Sequence, residues 1–180
     1  MRIIAGSKKG ARIAAPKGAG TRPTGDRVRE AAFNLIGPVD DASVLDLYAG
    51  SGAMGLEALS RGARRCLFVE NDRAACRVIQ ANLEKLRLTG AVVRCGDVLG
   101  VLRQERAAGR RYDLVLVDPP YDEYASSLQM ALSDLLPDIL APDGLVVVET
   151  AAKTEPELPL ELATSRRYGA ARLTLFRSPP

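Results

Sequence analysis

Between residues 43 and 149, five short apolar runs alternate with segments of helical periodicity. The runs are Ser43–Tyr48, Arg65–Glu70, Ala91–Cys95, Tyr112–Val117 and Gly144–Glu149. The first four are each followed by a predicted helix, over residues 52–61, 72–88, 98–108 and 126–136, with Gly62 and Gly90 stopping the first two. Strands buried on both faces read as near-continuous apolar runs. Alternating with helices at this spacing, they build βαβ units around a parallel sheet. The rhythm breaks after residue 150, where 162–168 and Ala171–Arg177 flank Gly169-Ala170 and predict a hairpin closing the sheet edge. The expected fold is α/β: a doubly wound, mostly parallel, seven-stranded sheet of Rossmann-like type.

Upstream of the sheet, Val28, Ala32, Leu35 and Ile36 share one helical face over 26–36. Asp26 is placed to cap this helix and Gly37-Pro38 to stop it. Residues 1–25 are rich in Gly, Lys, Arg and Pro and predict a basic arm or hairpin, leaving 26–180 as a single domain. The 180 residues match one domain, a size that buries about 70% of the unfolded surface. Net charge is only +3, but residues 1–37 hold eight Lys or Arg against two acids. A basic end on a slightly acidic body suits a polyanionic partner.

Other classes of chemistry fall away. The chain has no histidine, which removes imidazole bases and His-based zinc sites. Cys66, Cys76 and Cys95 are odd in number and lack CxxC spacing, so they read as buried free thiols in a reducing cytosol rather than metal ligands. No apolar run reaches a membrane span of about 18 residues, and the N-terminus lacks a signal-peptide h-region. The expectation is a cytoplasmic protein without membrane or metal.

The stretch Asp46-Leu47-Tyr48-Ala49-Gly50-Ser51-Gly52 ends the first strand and opens a helix. Glycines there let the backbone turn sharply and approach a ligand. The second strand ends in Glu70-Asn71, where a carboxylate can accept both hydroxyls of a ribose. These features fit a nucleoside-containing cofactor. The glycines also match the dinucleotide fingerprint, so a nicotinamide-dependent oxidoreductase competes. Asp46 favours S-adenosylmethionine, because a carboxylate there can orient the ammonium of its methionine end, which a dinucleotide lacks. After strand three, Asp97 can accept from an adenine amino group and Val98 can offer its backbone N–H to the ring; Asp97 also suits a helix N-cap.

Asp118-Pro119-Pro120-Tyr121 ends the fourth strand. Two prolines fix the backbone and restrict the residues before them to extended geometry. The Asp118 carboxylate and Pro119 carbonyl can together accept both N–H groups of an exocyclic base amine. That would hold the nitrogen in line with a methyl donor and favour the positive charge developing on it. Tyr121 offers a face for base stacking, worth roughly 1–3 kcal/mol.

These motifs resemble the class I methyltransferases of exocyclic amines. More closely, the chain resembles the bacterial family that methylates N2 of guanine in small-subunit ribosomal RNA, at guanine 966 of 16S rRNA. The resemblance rests on Arg2-Ile3-Ile4-Ala5-Gly6, Arg22 through Glu30, Asp46 through Gly62, and Asp118 through Tyr121. It implies that Asp46, Tyr48, Ala49, Gly50, Gly52, Glu70, Asn71, Asp97 and Val98 hold S-adenosylmethionine, with Asp118–Tyr121 catalytic. It implies RNA contacts by Lys8, Lys9, Arg12, Arg22 and Arg27, salt-dependent if they meet phosphates, and a flipped target base. The substrate would be ribosomal RNA in an assembling small subunit, met by an enzyme that can act as a monomer. Gly25 stands where the family has a second threonine, Ala5 where it has a second glycine, and Lys8-Lys9 replaces an aromatic or Gly-Arg pair. Three readings compete: N6-adenine or protein-amide methylation by the same loop, the oxidoreductase, and a non-catalytic RNA-binding module.

Overall fold

A computed structural model describes residues 1–16, 25–120 and 126–178. Its helices are α1 (Asp26–Ile36), α2 (Ala53–Ser60), α3 (Arg73–Leu86), α4 (Val98–Ala107) and α5 (Ser126–Ile139). Its strands are β1 (Ser43–Leu47), β2 (Arg65–Glu70), β3 (Ala91–Cys95), β4 (Tyr112–Val117), β5 (Leu140–Ala151), β6 (Glu161–Tyr168) and β7 (Ala171–Arg177). They form one seven-stranded sheet in the order β3-β2-β1-β4-β5-β7-β6. Strands β1 to β5 pair in parallel, and β7 runs antiparallel between β5 and β6. The chain starts at β1, moves outward to β3, then returns to β4. The switch point of the sheet therefore lies between β1 and β4, where open α/β sheets bind ligands at the carboxyl ends of their strands.

Successive residues of a strand face opposite sides, and this divides the core in two. Val44, Cys66, Phe68, Leu114 and Leu116 pack with α1, α2 and α3 on one face. Leu45, Leu47, Val69, Val115 and Val117 pack with α4 and α5 on the other. In α3 the buried residues Ala75, Cys76, Ile79, Asn82 and Leu86 follow one helical stripe.

The N-terminal segment forms a small antiparallel bridge, Arg2 to Arg12. Ile3 and Ile13 sink into the first core cluster, at 1% and 5% exposure. Buried polar side chains fasten the segment. Glu57 accepts from the N–H groups of Ile4 (2.8 Å) and Ala5 (2.9 Å), and its carboxylate also meets Arg29 and Arg61. Ser60 Oγ bonds the Ala5 carbonyl and the Lys8 N–H. Asn82 clasps Ala14 through both its carbonyl and its N–H. Gly6 sits so close to α2 that a Cβ there would lie 1.8 Å from the Ser60 carbonyl oxygen, and its φ of +81° also suits glycine.

The structure corrects several sequence expectations. Asp26 is the first residue of α1 rather than its cap; Gly25 holds that place and Asp26 pairs with Arg29 at 2.9 Å. Helix α3 ends at Leu86, because Arg87 takes a left-handed conformation and Leu88 bonds back to the Leu83 carbonyl, a Schellman-type stop. Helix α5 runs past Pro137 to Ile139: the proline costs one hydrogen bond near the helix end, while Leu136, Ile139 and Leu140 are buried. Strand β5 begins with Leu140 opposite Tyr112, bulges, and resumes regular pairing at Leu145 opposite Leu114. Cys95 is exposed, whereas Cys66 and Cys76 are buried as expected.

Candidate active site

The carboxyl ends of β1, β2 and β4 bring Asp46, Glu70 and Asp118 to one end of the sheet. By strand alternation, Asp46 and Glu70 point to the face that carries α2 and α3. Beyond Asp46 the backbone turns tightly. Tyr48, Gly50 and Gly52 all have positive φ (59°, 55° and 77°), and the Gly52 N–H reaches the Ala49 carbonyl at 2.7 Å. For Tyr48 this conformation is uncommon and is held by the turn around it. A Cβ at Gly50 would meet only the Tyr48 carbonyl, at 4.0 Å, so this loop presents open backbone. Helix α2 then packs directly on β2: a Cβ at Gly55 would lie 2.3 Å from Phe68.

Asp46 is 2% exposed. Its Oδ2 accepts from the Gly55 N–H at 2.9 Å. Burial pushes its carboxyl up to about 7, the nearby Glu70 charge adds to this, and the Gly55 N–H opposes it. Glu70 is also buried, and each of its oxygens takes a backbone N–H: Oε2 from Gly50 at 2.7 Å and Oε1 from Asp72 at 2.9 Å. The acid is thus fixed against the loop after β1. Asn71 is exposed beside it. Asp97 caps α4 by accepting from the Gly100 N–H at 2.7 Å, which leaves its other oxygen for a ligand. Val98 opens α4, so its N–H is among the first-turn amides that the helix itself does not use.

On the far side of the switch point, the Asp118 N–H extends the β4 ladder to the Leu47 carbonyl at 3.4 Å. Pro119 is buried and Pro120 exposed. Tyr121 and Arg22 lie outside the described residues. The remaining expected RNA contacts are dispersed. Lys8 is tied to Ser60, at the end of α2 remote from the glycine loop. Lys9 and Arg12 are exposed near it, on the same segment. Arg27 is exposed in the first turn of α1. A depression of about 480 Å³ lined by Val39, Asp41, Arg64, Asp113 and Leu145 lies at the opposite, amino end of the strands and includes none of these residues. Among the described residues, no cluster of His, Cys, Asp and Glu could hold a metal ion. No described helix is long and apolar enough to cross a membrane.

Sequence reading missed the Glu57–Arg29–Arg61 junction and the Asn82 clasp. The only signal for them was a polar residue on the otherwise apolar stripe of α2 and of α3.

Residues 1–177 match the model of the family described as Conserved hypothetical protein 95. The chain belongs to this family. One relative, the Escherichia coli K12 protein named ribosomal RNA small subunit methyltransferase D, is 37% identical over 177 residues, covering 96% of this chain and 86% of that one. A solved Escherichia coli structure described as a candidate methyltransferase superposes with a TM-score of 0.86 at 36% identity, covering 99% and 97% of the two chains. At 18% identity, an RNA methyltransferase from Salinibacter ruber, solved with S-adenosyl-L-homocysteine, shares the fold alone, with a TM-score of 0.66 and coverage of 87% and 94%. The fold of this family is therefore that of the class I methyltransferases.

Proposed function

We propose that this protein is an S-adenosylmethionine-dependent methyltransferase acting on the exocyclic N2 of a guanine in small-subunit 16S rRNA, of the guanine 966 type. The observation that carries the reading is the convergence of Asp46, Glu70, Asp97 and Asp118 at successive strand ends around the β1/β4 switch point. The family relative named for small-subunit rRNA methylation supports the choice of substrate.

The residues fit the cofactor. The open backbone at Gly50, the buried Asp46 carboxylate and the pinned Glu70 suit a ligand with an amino acid end and a ribose. S-adenosylmethionine, when bound, supplies an electrophilic methyl group on a sulfonium. Asp46 would meet its ammonium, Glu70 the ribose hydroxyls, and Asp97 with the Val98 N–H the adenine, beside Tyr48, Ala49, Gly52 and Asn71. Asp118 and the Pro119 carbonyl would accept from the two N–H groups of the target amine. This orients the nitrogen lone pair and stabilises the charge that develops on it. No strong base is needed, in keeping with a chain that has no histidine. Such an enzyme works in the cytoplasm, on RNA or on an assembling particle.

The deciding experiment incubates the protein with labelled S-adenosylmethionine and small subunits from a strain lacking it, then identifies the modified nucleoside. N2-methylguanosine supports the reading. N6-methyladenosine or labelled protein would keep the transfer and replace the substrate. Stabilisation by NAD(P) but not by S-adenosylhomocysteine would overturn the reading altogether.

A further inference from the structure

The cations expected from sequence to meet RNA are dispersed, yet the far edge of the sheet carries others at the level of the target loop. Sheet register places them. Val117 of β4 aligns with Val148 of β5, then Thr174 of β7 and Ser165 of β6. One residue further along, level with Asp118, the row runs Glu149, Leu173, Arg166. The next row ends in Arg172 and Arg167, and Tyr168 follows opposite Ala171. Three strand spacings separate β4 from β6, about 14 Å.

The faces agree as well. Leu173 belongs to the core cluster under α1 and α2, so its partner Arg166 lies on that side of the sheet, and Tyr168 packs against the same cluster, whereas Arg167, between them and opposite Arg172, faces the other side. Leu116 is in that cluster too, and alternation carried to residue 118 puts Asp118 on the same side. Helix α1 packs on β7.

The hairpin tip is anchored rather than loose. Arg172 is buried; it bonds the Ala152 carbonyl (3.2 Å) and Ser165 Oγ (2.8 Å) and pairs with Glu155 (2.8 Å). Its charge is therefore used within the fold. Arg166, Arg167 and Lys153 are exposed and have no acidic partner among the described residues. An anchored edge that presents an exposed guanidinium group, that of Arg166, on the same face as the Tyr168 ring suits a phosphate backbone with a neighbouring base.

Resting on the proposed RNA methylation, we infer that Arg166 and Tyr168, at the end of β6, form a second RNA-contacting surface. It grips the strand on the side of the target nucleotide away from the cofactor. The partner is single-stranded or looped RNA, held by its phosphates.

The test compares the wild-type protein with the variants R166E and R166K. The probes are purified 16S rRNA and small subunits from a strain lacking the protein. The glutamate variant is expected to raise KM for RNA by about tenfold or more while leaving kcat within about twofold. It should also lower the slope of log affinity against log salt by about 0.7, one phosphate contact on a single strand. The lysine variant should recover most of the affinity, and all three proteins should bind S-adenosylhomocysteine alike, showing an intact fold. A glutamate variant with wild-type KM and salt slope would overturn the hairpin surface alone. Weaker binding to particles but unchanged binding to free rRNA would reassign the surface to a ribosomal protein and overturn the RNA contact. A wild-type protein that neither binds nor methylates rRNA would overturn both this inference and the function beneath it.

Discussion

The N–H of Gly50 lies 2.7 Å from Glu70 Oε2, so the loop after β1 and the acid at the end of β2 act as one device. Removing the carboxylate would cost twice: the ribose would lose its proposed acceptor and the loop its anchor. Hydrogen bonds to a charged group are worth about 1.5–3 kcal/mol. Glu70→Ala should therefore weaken S-adenosylhomocysteine binding by roughly 10- to 100-fold. Glu70→Gln keeps an acceptor for Gly50 and should fall between. Calorimetric titration checks this, and an alanine variant that binds like wild type would remove Glu70 from the site.

Asp46 makes the free protein sensitive to pH. Burial raises its carboxyl from 3.8 to about 7. Below about pH 4 both folded and unfolded chains hold the proton, and the group contributes nothing. As pH rises toward 7 the unfolded chain releases a proton that the folded one keeps, so folding stability falls across that window; above it the loss is complete. Asp46→Asn retains an acceptor for the Gly55 N–H without a charge. Its melting temperature should exceed that of wild type, by a margin that widens as pH rises through this window. It should nevertheless bind S-adenosylhomocysteine more weakly, having lost the partner for an ammonium. Thermal melts across this pH range give the answer; a constant margin would mean that Asp46 ionises normally.

Fold and site were not equally legible in the sequence. Leu114-Val115-Leu116-Val117 read as a strand because a short, β-branched apolar run at the length of a strand fits one covered on both faces. Asp46, Glu70 and Asp97 could be placed because each ends such a run. Boundaries failed where tertiary packing overrode local signals. The sequence predicts a helix end at residue 136, but the buried Ile139 and Leu140 carry the chain past Pro137. Cys95 looked buried in an apolar run, but β3 is an edge strand and leaves it exposed. Residues 1–25 read as a basic arm or hairpin, and nothing local shows that Glu57 and Asn82, more than 50 residues away, bond the backbone of residues 4, 5 and 14.

Asp118 should matter for turnover and little for cofactor affinity, since β4 lies across the switch point from Glu70. The role proposed for it, holding the target amine, would be realised only as the transfer proceeds. Losing one such preorganised group typically costs about 10²–10³ in rate. Asp118→Ala should lower kcat on small subunits by that order while S-adenosylhomocysteine affinity stays within about threefold of wild type. Single-turnover methylation beside a binding titration separates the two. Equal losses in both would place Asp118 in the cofactor site instead.

The N-terminal segment should unfold with the sheet, not ahead of it. Glu57 and Arg29 have fully buried side chains and are linked to the backbone of residues 2, 4 and 5. Breaking a buried charge pair by removing one partner costs about 3–5 kcal/mol, so Glu57→Ala should destabilise the whole domain by that order. Gly6→Ala tests the same contact without touching a charge, because its Cβ would overlap the Ser60 carbonyl oxygen and force the segment off α2. Both variants should shift a single cooperative unfolding transition seen by circular dichroism, and both should expose Lys8 and Lys9 to trypsin under native conditions. If Gly6→Ala left the transition unmoved and wild type were already cleaved at Lys8 or Lys9, the segment would be a separable arm. Burial of Ile3 and Ile13 would then contribute nothing to the stability of the sheet.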